Sequence, residues 1–177
     1  LAGPKDYLIN RLTGEWVTDR ATAAATGVYD SQGEDWDSDL LDWLKITRSW
    51  LPRVVPLTGQ LSLLPAAAER LSLPATTRVI AGGLDGVLVH LGMGCARAGL
   101  ASCTIGTSSA VRMSSPQRVR DTLGRTWCYP IVGDLWLAGG AGNNGGNVLT
   151  WFHALCREMA RFAGSQVAQE GAAEAVD

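Results

Sequence analysis

The stretch Leu100-Ala-Ser-Cys-Thr-Ile-Gly-Thr-Ser-Ser-Ala-Val-Arg112 contains two strand-like runs that meet at a turn of small residues, Gly106-Thr-Ser-Ser109. A turn of this kind can direct several backbone N–H groups at one anion. Shortly before it, Gly82-Gly83-Leu84-Asp85-Gly86 places a carboxylate at a strand-to-helix junction, where it can take a proton from an attacking hydroxyl. Together the two segments predict phosphoryl transfer by an α/β protein.

The composition is that of an ordinary globular protein. The 177 residues, 46% hydrophobic and 18% charged, suffice for one large domain or parts of two. The net charge is −2 and the 15 Lys and Arg residues form no run, so the chain has no electrostatic footprint for nucleic acid or an anionic membrane. We therefore expect a small-molecule partner, with no nucleic acid and no membrane involved.

The cysteines and histidines give no metal-binding pattern. The four cysteines contain no CxxC pair, and the two histidines are not spaced with them as zinc ligands are. We expect reduced, buried thiols and no metal site, with His90 and His153 as core or surface histidines rather than ligands. No signal peptide opens the chain and no apolar stretch is long enough to span a bilayer, which favours a cytoplasmic location.

Helices are predicted to dominate the first half of the chain. Thr13-Gly14 should end the first helix, Asp19 should cap the second, and Asp37 should open a third whose apolar face is Leu40, Leu41, Trp43 and Leu44. A proline-spaced connector with a short helix at Ala66–Leu71 follows. Arg78–Ala81 then reads as a buried strand, and a helix is predicted from about Leu84 to Leu91.

The second half begins as β structure. Strands are predicted at Ala101–Ile105, Ala110–Met113, Thr126–Val132 and Leu135–Ala138, with Gly133-Asp134 as a hairpin turn. A final helix, with Asn143 or Asn144 as its N-cap, is predicted from a stripe of apolar residues at helical spacing: Val148, Phe152, Leu155, Met159 and Phe162.

Each candidate site residue has an alternative interpretation. Asp85 is either a general base or the N-cap of the following helix. Gly106–Ser109 is either a phosphate-binding turn or a plain hairpin turn, and the chain contains no GxxxxGK[ST] motif.

The glycine-rich segment Gly139–Gly146 also has competing interpretations. Gly140, Gly142 and Gly145 match the G-x-G-x-x-G fingerprint of NAD-dependent oxidoreductases, which requires a second parallel strand after the helix. We favour a helix N-terminus left open by glycines to receive a nucleotide, with a simple capped helix as the remaining possibility.

The order of these motifs resembles the FGGY family of carbohydrate kinases over nearly the whole chain. The resemblance begins with Lys5–Glu15, Thr18-Asp19, Thr26–Asp30 and Trp36, and continues with three ordered motifs: Gly82–Asp85, Thr104–Ser109 and Gly139–Trp151.

Within the family, the chain is most similar to the gluconate kinase branch. The segments that carry this similarity are Gly124–Tyr129, Leu135-Trp-Leu137 and Gly142–Gly146. Leu84 stands where the family often has Gly, which restricts the backbone just before Asp85.

The resemblance implies an α/β fold of the actin-like, ribonuclease-H-type two-domain class, present only in part. Residues 1–93 would be the C-terminal part of the sugar-binding domain, and residues 94–177 the first part of the nucleotide-binding domain. The family's Asp-x-Gly-Thr phosphate loop is expected before Leu1 and its adenosine-binding glycines after Asp177. The isolated piece is therefore expected to be inactive and to associate with itself through open strand edges.

The resemblance also implies the reaction and its residues. Asp85 would be the base, ATP the phosphoryl donor with Mg2+ arriving on it, and gluconate the favoured acceptor, with xylulose or another polyol as alternatives. A non-catalytic interaction module is the remaining alternative. The positions that would hold the phosphates and the nucleotide are Gly106, Thr107, Ser108, Gly146 and Thr150.

Overall fold

The computed structural model describes residues 1–174, with side chains through residue 164. The chain divides into two compact units. The first unit comprises Leu1–Ser102 and Arg112–Gly140, and the second comprises Cys103–Val111 and the residues from Ala141 onward.

Local sequence signals set the boundaries of the first elements. Helix α1 (Pro4–Thr13) starts at a proline, whose fixed φ suits a helix start, and ends at Gly14, which adopts φ 78°. Strand β1 (Val17–Asp19) leads into helix α2 (Arg20–Ala25). The Asp19 carboxylate caps α2 by accepting the N–H groups of Ala21 and Thr22 at 2.9 and 3.1 Å. The predicted helix end at Gly14 and cap at Asp19 are confirmed.

The remaining elements of the first half are short. In chain order they are β2 (Tyr29–Asp30), β3 (Asp35–Trp36), α3 (Ser38–Leu44), a 3₁₀ turn (Arg48–Trp50), β4 (Arg53–Val55), β5 (Gln60–Ser62), α4 (Pro65–Leu71), β6 (Arg78–Ile80) and α5 (Asp85–Gly92). The second half contains β7 (Ala101–Ile105), β8 (Ser109–Ser115), β9 (Trp127–Pro130), β10 (Trp136–Gly142) and α6 (Gly146–Glu174).

The strands form three two-stranded sheets and one of four strands in the described part of the chain. Strands β1 and β4 pair in parallel, whereas β2–β3 and β5–β6 are antiparallel pairs. The larger sheet has the order β7-β8-β10-β9, with β9 and β10 antiparallel. The turn between these two strands contains Gly133 at φ 59°, which confirms the predicted hairpin.

Helix α5 is anchored by the core of the first unit. Val87 and His90 on this helix are almost fully buried. Val87 packs in a cluster with Leu137 of β10 and Ile131, which follows β9. A second cluster joins Ile9 of α1 to Val17 of β1 and Val55 of β4. The first residue of α5 is thus attached to a fixed scaffold.

Burial differs from the sequence prediction at several places. Strand β6 was predicted to be buried, but its residues are exposed or half-buried because it pairs only with the short β5. On α3 only Leu41 is buried, whereas Trp43 is 77% exposed. The four thiols are free as predicted, yet Cys103 and Cys156 are exposed.

Helix α6 also differs in detail from its prediction. It begins at Gly146, and the side chain that bonds across its start belongs to Asn147 rather than to Asn143 or Asn144: Asn147 Oδ1 accepts the N–H of Gly145 at 2.7 Å. The predicted apolar stripe exists, but it is exposed, with Phe152 at 56% and Phe162 at 67%. Spacing reveals the face of a helix and not what covers it. In the part of the chain that the structure describes, no helix combines the length and hydropathy required to cross a membrane.

Candidate active site

Asp85 is the first residue of α5 and is exposed to solvent. The N-cap position belongs to Leu84, which has no capping side-chain bond, so the interpretation of Asp85 as the helix N-cap is wrong. One carboxylate oxygen, Oδ1, accepts the N–H of Gly86 at 2.6 Å. The side chain is exposed, so the carboxylate is oriented by its own helix and accessible to a hydroxyl.

The loop that leads from β6 to Asp85 is held by backbone bonds. The N–H of Ala81 donates to Gly59 O at 2.9 Å, and that of Gly82 donates to Leu57 O at 3.0 Å. Gly82 adopts φ 67°, a conformation that glycine alone takes without strain. The predicted sharp turn is confirmed, although β6 belongs to an antiparallel pair rather than to an open parallel sheet.

A buried ionic cluster stands behind this loop. The ammonium group of Lys5 donates to Ala81 O at 3.2 Å and lies 3.1 Å from Oδ2 of Asp19, which is fully buried. It also lies 3.4 Å from Oδ1 of Asp6. Lys5 therefore ties α1 and the start of α2 to the residue just before the double glycine. Sequence reasoning missed this role because the partners of Lys5 are distant along the chain.

A cavity of about 270 Å³ adjoins Asp85 within the first unit. Two of its lining side chains, Trp127 and Tyr129, stack with ring centroids 4.8 Å apart, and burial raises the pKa of Tyr129. The cavity is also lined by Arg112 of β8, which sequence reasoning did not single out. Arg112 lies two residues after Ala110 and two before Ser114, both of which are buried. Because side chains alternate along a strand, this spacing places a charged residue on the inner face, and that was the overlooked signal.

His90 occupies the core side of α5. Its Nδ1 lies 2.7 Å from Ser102 Oγ, and its Nε2 lies 2.9 Å from Ser114 Oγ. The Ser114 hydroxyl donates to Cys95 O, so Nε2–H must be the donor to Ser114. Burial, followed by the charge of Arg112, lowers the pKa of His90. His90 is therefore a core histidine and His153 a surface one on α6, the two roles that the sequence predicted.

The turn Gly106–Ser109 packs against the glycine-rich segment within the second unit. The N–H of Gly146 donates to Gly106 O at 2.6 Å, and Ser109 Oγ donates to Asn144 O at 2.8 Å. A Cβ on Gly145 would lie 2.6 Å from Ser108 O and 2.7 Å from Gly106 O. Glycine is therefore required at position 145 by a close approach of two backbones.

Four of the five predicted nucleotide residues line one open concavity in this unit. They are Gly106, Thr107, Gly146 and Thr150, together with Asn147, Trp151 and Ala154. Ser108 is outside this lining, and its carbonyl accepts the N–H of Gly106 at 2.8 Å. The amides of Gly106 and Gly146 are both bonded internally and shape the turn, whereas Thr107 is exposed in the concavity.

Comparison with known proteins identifies the family of the chain. Residues 1–92 match the family described as "FGGY family of carbohydrate kinases, N-terminal domain". A gluconokinase of Bacillus subtilis (strain 168) is 37% identical over 150 residues, which are 84% of this chain and 29% of that protein. The chain spans less than a third of the length of the relatives it matches.

Solved structures give the same result. Gluconate kinase from Lactobacillus acidophilus matches with a TM-score of 0.80 and 35% identity over 85% of this chain and 31% of that one. Xylulose kinase from Rhodospirillum rubrum matches with a TM-score of 0.82 and 27% identity over 93% of this chain and 34% of that one. The fold is that of part of a sugar kinase, as predicted. The chain belongs to the FGGY family of carbohydrate kinases, and the family resemblance is confirmed.

Proposed function

We propose that the protein containing this chain transfers the γ-phosphoryl group of ATP to a hydroxyl of a sugar or sugar acid, with gluconate as the preferred acceptor. The observation that carries the proposal is the exposed Asp85 carboxylate, oriented by the amide of Gly86 at 2.6 Å and bordering a cavity. Family membership and the similarity to a gluconokinase support the choice of reaction and of acceptor.

Asp85 acts in this proposal as the general base. Its Oδ2 accepts the proton of the acceptor hydroxyl while the hydroxyl oxygen bonds to the γ-phosphorus and the bond from that phosphorus to the bridging oxygen of ADP breaks. Positioning contributes more to such a transfer than proton removal does. The buried frame behind the loop, with Lys5 on Ala81 O at 3.2 Å, supplies that positioning.

The second unit contributes the phosphate and nucleotide contacts in this proposal. Thr107 would donate its hydroxyl to a phosphate oxygen, while Gly106 and Ser108 maintain the shape of the turn. Gly146 and Thr150 lie in the first turns of α6, whose N-terminus favours negative charge. Each of these assignments rests on the shared concavity and on the family resemblance.

Mg2+ fits this site as an ion carried by ATP. Among the described residues no three His, Cys, Asp or Glu side chains converge as a metal site. Magnesium in phosphoryl-transfer sites is held mainly by substrate phosphates and water, so it would arrive on ATP and leave Asp85 to act as the base. When bound, the ion would neutralise charge on the phosphates.

We further propose that residues 1–93 and 94–177 belong to two successive domains of a longer cytoplasmic enzyme. The family match over residues 1–92 supports the boundary. The chain alone is then inactive, because catalysis needs nucleophile, phosphate and metal held from several sides. Exposed apolar residues on α6, such as Trp151 and Phe162, favour self-association of the isolated piece.

The NAD-dependent alternative has little support. The strand before α6 pairs antiparallel with β9, and α6 runs to Glu174, so no parallel strand follows it in residues 1–174. The fingerprint at Gly140, Gly142 and Gly145 therefore lacks the βαβ context that it requires. A non-catalytic interaction module stays an outcome of the test below.

The test is an ADP-release assay on the full-length protein with gluconate, xylulose and glycerol. We expect turnover that depends on both ATP and the acceptor, fastest with gluconate. The matched control is Asp134→Ala, a carboxylate in the β9–β10 turn region, which should leave turnover unchanged. No turnover with any acceptor would refute the kinase proposal and favour the interaction module.

A further inference from the structure

Strand β8 places two polar side chains, Arg112 and Ser114, on the same face as the buried Ala110, and the apolar Val111 and Met113 on the opposite face. Ser114 is 1% exposed and Arg112 is half-buried, whereas Val111 and Met113 are 57% and 46% exposed. A half-buried strand ordinarily turns its apolar set to the core. Departures from such local rules concentrate at functional sites. The inward position of Ser114 is explained by its hydrogen bond with His90, and that of Arg112 by the cavity that it lines.

The Arg112 guanidinium lies directly over Gly86. A Cβ on Gly86 would stand 3.0 Å from Nη2 and 3.2 Å from Nε of Arg112. The amide of the same glycine holds the Asp85 carboxylate at 2.6 Å. The carboxylate of Asp85 and the guanidinium of Arg112 therefore both lie beside Gly86, and both residues line the 270 Å³ cavity.

The surroundings of this cation are electropositive. Gly86 is in the first turn of α5, where the helix dipole presents its positive end. The same guanidinium contributes to the lowered pKa of His90, one helical turn further on. Such surroundings favour an anionic group on a ligand.

We propose that Arg112 binds the carboxylate of a sugar-acid acceptor and so selects acids over neutral sugars. This inference rests on the proposed function, since it concerns the same acceptor site. The planar guanidinium can hold a carboxylate through two parallel N–H···O bonds. The stacked Trp127 and Tyr129 rings form an apolar wall against which the C–H groups of the acceptor pack.

The test compares gluconate with glucitol, its neutral analogue in which the carboxylate is replaced by a CH2OH group. Binding of each to the full-length protein is measured by isothermal titration and by competition in the ADP-release assay. Arg112→Met should weaken gluconate binding on the order of 10²-fold, the usual worth of a hydrogen bond to a charged group, and glucitol binding less than about threefold. Arg112→Lys should recover part of the loss.

Two further variants separate binding from folding. Met113→Gln, on the outward face of β8, is the matched control and should change neither affinity. Gly86→Ala keeps the charge but pushes the guanidinium aside, and should weaken gluconate selectively by several-fold.

Three results with Arg112→Met would overturn the inference. The affinities for gluconate and glucitol could fall equally, or neither affinity could fall. The KM for ATP could also rise while the affinity for gluconate stays unchanged, which would assign Arg112 to a phosphate. Absence of turnover with every acceptor would instead refute the kinase proposal. The titration arm would then still report whether Arg112 discriminates between the two ligands.

Discussion

The Asp85 loop and the Gly106 turn depend on different contacts. Besides its backbone bonds, the loop is braced by a side chain, because Lys5 bonds Ala81 O and pairs with the buried Asp19 in the first unit. The turn depends on a close approach of backbones, because Gly106, Gly145 and Gly146 come together where no Cβ fits on Gly145. The loop should therefore be sensitive to removal of a side chain, and the turn to addition of one.

The largest expected effect is chemical and concerns the loop itself. Asp85→Ala in the full-length protein should lower kcat on the order of 10²-fold or more, because the base for the acceptor hydroxyl is removed. Thermal unfolding should hardly change, since Asp85 is exposed and does not cap α5. Steady-state kinetics and circular dichroism check the two parts. A large fall in melting temperature would show that Asp85 is structural.

The next effect tests the frame behind the loop. Asp19→Ala should reduce the free energy of unfolding by about 2–3 kcal/mol, because it removes the cap of α2 and one of the two buried carboxylates that pair with Lys5. The matched control is Glu15→Gln, whose exposed pair with Arg53 should be worth under about 0.5 kcal/mol. Urea unfolding measures the free energy lost in each variant. Equal losses would contradict the expectation that the buried pair stabilises the protein more than the exposed pair does.

The third effect tests the turn. Gly145→Ala places a Cβ 2.6 Å from Ser108 O, so the turn must shift and KM for ATP should rise about tenfold. Gly140→Ala is the control, because nothing lies within 4 Å of its added Cβ. If the two variants show the same KM, the close approach does not shape the nucleotide site.

The smallest expected effect is a pH dependence of protein stability that arises from His90, the buried histidine of α5. The pKa of His90 is lowered in the folded protein, so below about pH 6.5 the unfolded chain binds a proton that the folded one does not. Its contribution to stability is present above that pH and is lost as pH falls toward the folded pKa, with a slope of at most about 1.4 kcal/mol per pH unit. Melting curves from pH 8 to 5 should show this slope, and His90→Gln should flatten it.

Most of the fold could be predicted because its signals are local. Gly14 and Asp19 mark helix ends by their own chemistry, and Gly133 marks a hairpin turn. The prediction of β6 as a buried strand was wrong because burial depends on what packs against a strand. The same limit applies to Trp43, whose hydrophobicity does not ensure that a partner covers it.

The candidate site was predicted less completely. Asp85 and the turn were found from motifs, whereas Lys5 and Arg112 were not, since their roles depend on contacts across many residues. Lys5 meets a carbonyl 76 positions away, and no pattern in its own neighbourhood indicates that contact. The position of Arg112 and Ser114 on the inner face of β8 becomes visible only when exposure is known.

The span of the Lys5 contact has a consequence for the order in which the protein is made. A ribosome synthesises α1 and Asp19 long before the glycines that precede Asp85, so the Lys5–Asp19 pair that receives Ala81 already exists when the loop emerges. Ile131 and Leu137, which pack with Val87 of α5, are made later. Arg112 follows almost thirty residues after Asp85, so the reactive carboxylate is synthesised before the residue proposed to choose its substrate.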